Sequence, residues 1–234
     1  LALVQPEVEV VEWSRRKAEG KLPCKALLPD YGLARLLVDK AAMSEALDNT
    51  GLVPVSAGLK RDFANLDEVE DALPYPFWIR ASSGSSGLGS LLVEDRDSLA
   101  SWVRINKGVE TFLCSEYLPG RNLACKLLYF DGQPLRAACA ERVNYIMAKV
   151  APSGITGNTS FGRLINDRKP VELAMAAMDR LFEAAGAPKH GFFTLDFKED
   201  DTGEPKITEV NVRNVAFNGC FAQLGANFSE DIVR

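Results

Sequence analysis

Four polar residues in the last third of the sequence have types and a spacing that suit metal or phosphate chemistry. Glu209, Asn211 and Arg213 occur two residues apart in a segment that alternates in polarity. Alternate residues of a strand project from the same face, about 6.6–6.8 Å apart for each pair. Asp196 lies in the apolar segment just upstream, where a partner strand would bring it alongside. Carboxylate and carboxamide oxygens are ligands that Mg²⁺ or Mn²⁺ takes, so the set indicates a divalent cation site.

The segment 191–213 that carries these residues is predicted to form a β-hairpin. Residues 192–197 are apolar and β-prone, residues 199–203 form a polar turn that contains glycine, and residues 206–213 alternate. Strict alternation puts the even positions 208–212 on a packed face and places Ile207 on the opposite, polar face. The alternative is a solvated sheet face with a Glu209–Arg213 pair, so the metal site needs phosphate-binding elements elsewhere in the chain.

A Gly/Ser-rich loop provides a candidate for such an element. Residues 77–81 are predicted to form a buried strand that carries Arg80, the loop 82–90 follows, and residues 91–93 resume a strand. Since no helix follows the loop, the Walker A loop is excluded and the dinucleotide-binding glycine fingerprint is disfavoured. A flap between two strands can fold over polyphosphate through its backbone N–H groups. The alternative is a flexible linker, which has a similar composition.

The composition sets wider bounds. The chain has 234 residues, 47% of them hydrophobic and 25% charged, which predicts one large or two small globular domains. The net charge of −5 and the absence of a basic run disfavour nucleic acid as a partner, and no apolar stretch approaches the roughly 18 residues of a membrane span. Five cysteines without a C-x-x-C pair and a single histidine predict reduced thiols in a cytoplasmic protein, without zinc.

Strand and helix patterns along the chain predict the α+β fold class. We expect one helix to begin at Lys40 behind the N-cap Asp39, and another to occupy residues 169–185. Further predicted elements are a strand-like opening at 1–11, helices at 12–19, 65–72, 97–106 and from 228, strands at 111–118, 122–130 and 134–140, and irregular loops at 151–162 and 214–227.

These motifs, in this order, resemble the ATP-grasp superfamily, especially carbamoyl-phosphate synthetase and related carboxylate–amine ligases. The similarity is carried by Asp39-Lys40, PFWIR at 76–80 with its Gly/Ser loop, SEYLPG at 115–120, LDF at 195–197 and TEVNVR at 208–213. The resemblance implies an ATP-grasp fold, with two α+β subdomains at 39–110 and 111–234 and the nucleotide site between them. It also implies that residues 1–38 are the remnant of an upstream α/β domain.

The resemblance further implies individual roles. Lys40 and Arg80 would contact the ATP phosphates, and Arg213 would stabilise an acyl phosphate or its transition state; these three form the expected catalytic set. The expected flap residues are Ser82, Ser83, Gly84, Ser85, Ser86 and Gly87, the expected hinge that binds adenine is Glu116, Tyr117 and Leu118, and the expected Mg²⁺ or Mn²⁺ ligands are Asp196, Glu209 and Asn211.

The sequence also departs from the pattern of this superfamily. Asn122 stands where many relatives have an acidic residue that bonds the ribose, Val212 where relatives in this branch often have proline, and Asp196 where others have Gln or Glu. The basic residue that relatives carry in the middle of the domain is either Arg142 or Lys149.

The function implied is an ATP- and Mg²⁺-dependent, ADP-forming ligase. It would activate a small carboxylate as an acyl phosphate for attack by an amine, and a homodimer is a further expectation. One alternative is a carboxylase component or kinase of the same fold. Another is a nucleotide-binding regulatory or scaffold module without turnover, which Asn122 favours. The remaining alternative is an α+β protein whose hairpin has no site.

Overall fold

A computed structural model describes residues 1–83, 90–156 and 158–234 of the chain, and two antiparallel sheets dominate these ranges. The helices are α1 Glu7–Ala18, α2 Tyr31–Val38, α3 Lys40–Ala46, α4 Leu66–Ala72, α5 Arg96–Ile105, α6 Arg168–Ala184, α7 Asn218–Gln223 and α8 Phe228–Val233. The strands are β1 Ser56–Lys60, β2 Phe77–Ala81, β3 Leu91–Val93, β4 Thr111–Glu116, β5 Asn122–Phe130, β6 Gln133–Tyr145, β7 Thr159–Ile165, β8 Gly191–Glu199 and β9 Pro205–Asn211. The α+β prediction is confirmed. None of the helices in these ranges combines the length and apolar character that a bilayer crossing requires.

The smaller sheet has four strands in the order β1-β4-β2-β3. Its apolar side chains pack with those of α4 and α5 into a core that includes Phe77, Ile79, Leu99 and Phe112. β2 and β3 pair antiparallel, with Phe77 opposite Val93, as expected for two strands that flank a flap. This sheet therefore holds the base of the Gly/Ser loop in a fixed position.

The larger sheet has five strands in the order β7-β6-β5-β8-β9. The apolar stripe of α6, with Met178 and Leu181 fully buried, packs on one of its faces, as the 3.6-residue periodicity predicts. Helices α2 and α3 share this core through Leu37 and Met43. The opposite face carries the polar residues of the hairpin and, beyond them, an aromatic cluster covered by α7 and α8.

The sheets divide the chain differently from the predicted boundary at 110/111. β4 pairs with β1 and β2, so the smaller sheet extends to Glu116. In addition, α3 packs in the core of the larger sheet, although it was assigned to the N-terminal subdomain. A split of the chain at 110/111 separates β4 from the strands with which it pairs, because a late strand can return to the middle of an earlier sheet.

The β8–β9 hairpin contains a β-bulge that corrects the predicted face assignment. Asp196 pairs with Glu209, whereas Phe197 pairs with Ile207, which leaves Thr208 as the extra residue. A bulge shifts the alternation by one residue, so Ile207 joins Val210 in the packed core instead of lying on the polar face. Glu209 stays on the same face as Asp196.

Three segments differ from their predictions. The predicted strand at 1–11 is wrong from Glu7, where α1 begins. Alternating valines resemble a strand, but the acidic residues in the first turn and the burial of Val10 favour a helix. The predicted loop 151–162 gives way to β7 at Thr159, which pairs with β6. The predicted loop 214–227 contains α7, because Phe221 packs into an aromatic cluster on the larger sheet.

Leu181→Ala should destabilise the larger sheet. The Leu181 side chain is fully buried, and such a truncation costs about 2–5 kcal/mol through lost burial and a cavity. Urea unfolding would measure the loss. Leu135→Ala is the matched control, because Leu135 is 51% exposed and its truncation should change the free energy of unfolding by no more than about 0.5 kcal/mol. Equal effects of the two variants would contradict the assigned core.

Candidate active site

A cleft of about 490 Å³ lies between the two sheets. This volume lies within the usual range for small-molecule sites. β2 and β4 contribute one wall, and β5, β6, β8 and β9 contribute the other. The residues predicted from sequence that line the cleft are Lys40, Arg80, Glu116, Tyr117, Leu118, Asn122, Arg142, Asp196, Glu209, Asn211 and Arg213. Positions from distant parts of the chain therefore meet in one cavity.

The predicted metal ligands lie side by side on the cleft face of the larger sheet. Asp196 and Glu209 are cross-strand partners, and Asn211 Nδ2 donates to Asp196 Oδ2 at 3.3 Å. Each carboxylate also meets a cation: Arg142 Nη2 donates to Asp196 Oδ1 at 2.6 Å, and Lys40 Nζ lies 3.3 Å from Glu209 Oε1. The oxygen cluster is thus charge-compensated by protein cations.

Burial governs the protonation of this cluster. It raises the pKa of Asp196 above its ordinary value, and the Arg142 guanidinium acts in the opposite direction. Burial likewise lowers the pKa of Arg80, against the attraction of Glu209 and Asp196. Withdrawal from water is therefore a strong influence on the charges in the cleft.

Two guanidinium donors in the cleft remain unsatisfied. The Nε atoms of Arg80 and Arg142 are buried and have no hydrogen-bond partner among the described residues. A buried donor without a partner costs free energy, and an anionic oxygen would satisfy it. The cleft therefore suits a ligand that carries several negative oxygens.

The donor set also bears on a divalent cation. The described residues include no group of three or more His, Cys, Asp or Glu side chains arranged to hold a metal ion. Asp196 and Glu209 with the amide of Asn211 make a set of two carboxylates and one neutral oxygen. Mg²⁺ is commonly bound by one or two carboxylates together with phosphate oxygens and water. The residues fit Mg²⁺ when phosphate accompanies it.

Helix α3 begins at Lys40 and places its side chain in the cleft. The Asp39 side chain accepts hydrogen bonds from the N–H groups of Ala41 and Ala42, which caps the helix as predicted. Lys40 N donates to Ser82 O at 3.0 Å, which ties the start of the helix to the end of β2. Ser82 and Ser83 therefore lie at the base of the predicted flap. Its other predicted residues, Gly84, Ser85, Ser86 and Gly87, lie outside the described residues.

The predicted hinge joins the two sheets. Glu116 N donates to Val55 O, and Glu116 Oε1 accepts from Val55 N at 3.0 Å, so this side chain is held by the chain just before β1. Leu118 is buried and Tyr117 is partly exposed. At Gly120 a Cβ atom would lie 2.5 Å from Glu199 Cβ, so only glycine allows the hinge to cross β8 this closely.

The two basic candidates differ in their place, and two further residues line the cleft. Arg142 lines the cleft and contacts Asp196, whereas Lys149 is not among the lining residues. Tyr145 and Lys198 line the cleft as well, and burial raises the pKa of Tyr145 to about 12. Lys198 could have been found from sequence, since it follows Asp196 by two positions on the same strand face. The long strand β6, which carries Tyr145, gave no clear alternation.

Comparisons with solved structures show the fold. D-alanine–D-alanine ligase from Bacillus anthracis is 18% identical, with a TM-score of 0.64 over 88% of this chain and 68% of its own. The L-amino acid ligase from Bacillus licheniformis is 18% identical, with a TM-score of 0.62 over 89% of this chain and 48% of its own. N5-carboxyaminoimidazole synthase from Aspergillus clavatus, in complex with ADP and 5-aminoimidazole ribonucleotide, is 15% identical, with a TM-score of 0.66 over 90% of this chain and 53% of its own.

These structures confirm the ATP-grasp fold that the motifs predicted. The chain spans between about half and two thirds of the length of the solved structures just named. No family model matches the sequence, and no curated protein matches it either. At these identities the likeness establishes the fold, and the chemistry has to be argued from the cleft.

Arg142→Met should make stability depend on pH through Asp196. The variant leaves a carboxylate without its guanidinium partner, which raises the Asp196 pKa further and costs about 3 kcal/mol at pH 7. A carboxyl with a higher pKa in the folded than in the unfolded state binds a proton on folding, so stability falls as pH rises through the folded pKa. Urea unfolding between pH 4 and 8 would measure this.

The difference in the free energy of unfolding between the unaltered protein and Arg142→Met should therefore become smaller at acid pH. Arg16→Met is the matched control: Arg16 pairs with Glu12 and the two side chains are 51% and 41% exposed, so its loss should cost at most about 1 kcal/mol. A deficit for Arg142→Met that stays constant across this pH range would show that Asp196 does not respond to Arg142.

Proposed function

We propose that this chain is the nucleotide-binding part of an ADP-forming ligase that couples a carboxylate to an amine. The observation that carries the proposal is the composition of the cleft. Two carboxylates and an amide on the larger sheet face Lys40 and Arg80, and Arg80 Nε is an unsatisfied buried donor. A polyphosphate with a divalent cation supplies both the anionic oxygens and the positive charge that this arrangement can bind.

The nucleotide would lie along the cleft from the hinge to the hairpin. The backbone of Glu116–Leu118 would contact the adenine edge, and Asn122, at the start of β5, would lie beside the ribose. Lys40 and Arg80 would hold the phosphates, with the oxygens of Asp196, Glu209 and Asn211 opposite them. Mg²⁺ bound there would neutralise charge on the phosphate oxygens. Positioning and electrostatics supply most of the catalysis in phosphoryl transfer.

Arg213 would act next to the transferred group. A carboxylate oxygen of the substrate attacks the terminal phosphorus, the bond to the β-phosphate oxygen breaks, and ADP leaves with an acyl phosphate formed. The amine then attacks the acyl carbon, phosphate leaves, and the amine loses a proton. Arg213 follows β9 directly and lines the cleft, where its guanidinium can stabilise negative charge in both steps.

Oxygen-18 transfer would test this reaction. Carboxylates labelled with oxygen-18 would be incubated in a panel with amines, ATP and Mg²⁺, and the released phosphate would be analysed by mass spectrometry. Formation of an acyl phosphate predicts one labelled oxygen in the phosphate and amine-dependent release. Unlabelled phosphate throughout would contradict the proposal. Nucleotide binding without any turnover would favour the regulatory module, for which Asn122 is the supporting feature.

Glu209→Gln should abolish Mg²⁺-dependent nucleotide binding. The change keeps the shape but removes one of the two carboxylate charges. In the unaltered protein, an ATP analogue with Mg²⁺ at about 100 times its Kd stabilises by about 2.7 kcal/mol, a rise in Tm of roughly 5–10 °C. The variant should show almost none of this rise. Glu204→Gln is the control, because Glu204 pairs with Lys169 on the surface. Retention of the Mg²⁺-dependent rise in Glu209→Gln would exclude Glu209 as a ligand.

Arg213→Ala should separate binding from turnover. The guanidinium is assigned to the reacting groups rather than to the nucleotide, so the Kd for the ATP analogue should change by less than about threefold. Loss of one transition-state donor lowers kcat by about 10²–10³-fold. Calorimetry and an ADP-release assay would measure the two effects. Unreduced turnover would remove Arg213 from the catalytic set.

A further inference from the structure

Lys126 is a buried cation on the cleft face that the proposed reaction does not use. It is fully buried in β5, and its position opposite Thr194 places it one pleat beyond the Ala124–Asp196 pair, on the same face. Beyond Lys126 this face is covered by α7 and α8, which pack Phe221 and Phe228 against it. Lys126 therefore lies at the border between the polar cleft and an apolar cluster.

Every donor of the Lys126 ammonium has a partner in one short segment. Nζ donates to Asn214 Oδ1 and to Val215 O, each at 2.9 Å, and to Asn218 Oδ1. The rings of Phe192 and Phe221 lie 5.7 Å from the same atom. Burial, with the nearby charge of Arg142, lowers the pKa of Lys126 to about 7. Hydrogen bonding to three oxygens compensates for much of the cost of burying the charge.

Two further contacts hold the segment 213–218. Thr194 Oγ1 donates to Arg213 O at 3.2 Å, just before the Lys126 acceptors. Phe217 has a φ of 76°, a conformation that a bulky residue adopts only under constraint from its surroundings. Its ring fills the space above Gly162, where a Cβ atom would lie 2.5 Å from it. Three contacts on three strands thus hold residues 213–218.

We infer that Lys126 is a positioning residue that fixes segment 213–218 as the end wall of the cleft. Val215 and Ala216 line the cleft directly, and Arg213 begins the segment. Lys126 hydrogen-bonds to the Val215 carbonyl and to Asn214 and Asn218 but does not line the cleft itself, so it acts through the segment. An apolar residue would suit the adjoining cluster equally well by packing, but it would leave Asn214 and Asn218 without their donor. The catalytic consequence rests on the proposed function, whereas the structural one does not.

Hydrogen exchange on Lys126→Met would test the structural part. Loss of charge-assisted hydrogen bonds should make local opening at least about tenfold more frequent, so peptides covering 213–220 should exchange about tenfold faster. Peptides from α6 should exchange at the unaltered rate. Lys169→Met is the matched control, because Lys169 pairs with Glu204 at the surface, and it should leave 213–220 unchanged. Unchanged exchange in 213–220 for Lys126→Met would overturn the inference.

A second variant covers the case in which Lys126→Met does not fold. Asn218→Ala keeps the ammonium but removes one acceptor, and it should also accelerate exchange in 213–220, by less than Lys126→Met where both fold. If exchange there stays at the unaltered rate in Asn218→Ala, the anchoring role is wrong.

Kinetics would test the catalytic consequence separately. Lys126→Met should lower amine-dependent ADP release at least about tenfold and leave the Kd for the ATP analogue within about threefold, because the hinge lies at the other end of the cleft. If the affinity for the ATP analogue falls in parallel with the rate of ADP release, the role of Lys126 is not confined to the end wall. If the unaltered protein releases no ADP with any carboxylate and amine, the proposed function fails, and the exchange result alone decides the role of Lys126.

Discussion

Charge compensation across the β8–β9 hairpin determines which elements must meet around the cleft. Asp196 and Glu209 are withdrawn from bulk water on the inner face of a sheet, where carboxylates are stable only with cations beside them. Arg142 provides one cation from the same sheet. Lys40 provides the other from α3, which must therefore pack against this sheet. The fold brings these four groups together around a cleft that still contains unsatisfied guanidinium donors.

The bulge at Thr208 allows one hairpin to serve two purposes. On its packed side Ile207 and Val210 both reach the core beneath α6, and on its other side Glu209 stays opposite Asp196. With strict alternation Ile207 and Glu209 would lie on the same face, so burying Ile207 in the core would bury Glu209 with it. Farther along the same face, the proposed role of Lys126 is to hold the end wall of the cleft through its hydrogen bonds. Binding surface and structural core are thereby carried by the same strands.

Much of this arrangement could be predicted from local patterns. The N-cap Asp39, the α6 stripe and the hairpin with Asp196 all depend on short-range chemistry that propensity and periodicity capture. The place of β4 and the pairing of β7 could not be predicted, because they depend on contacts between distant segments. The bulge was missed because strict alternation was assumed, although Ile207, an apolar residue out of phase with Val210, is the trace that a bulge leaves. Lys126 was missed because its partners lie about ninety positions away. The choice of Arg142 over Lys149 likewise needed the register of β5 and β6.

The proposed nucleotide lies between the two sheets and contacts both. Hydrogen exchange measured with an ATP analogue, with and without Mg²⁺, would test it most directly. Exchange should slow in peptides of both walls, 77–83 and 115–120 from the smaller sheet and 194–198 and 208–213 from the larger one, and the protection of the larger sheet should depend on Mg²⁺. Protection of one wall alone, or of neither, would contradict it.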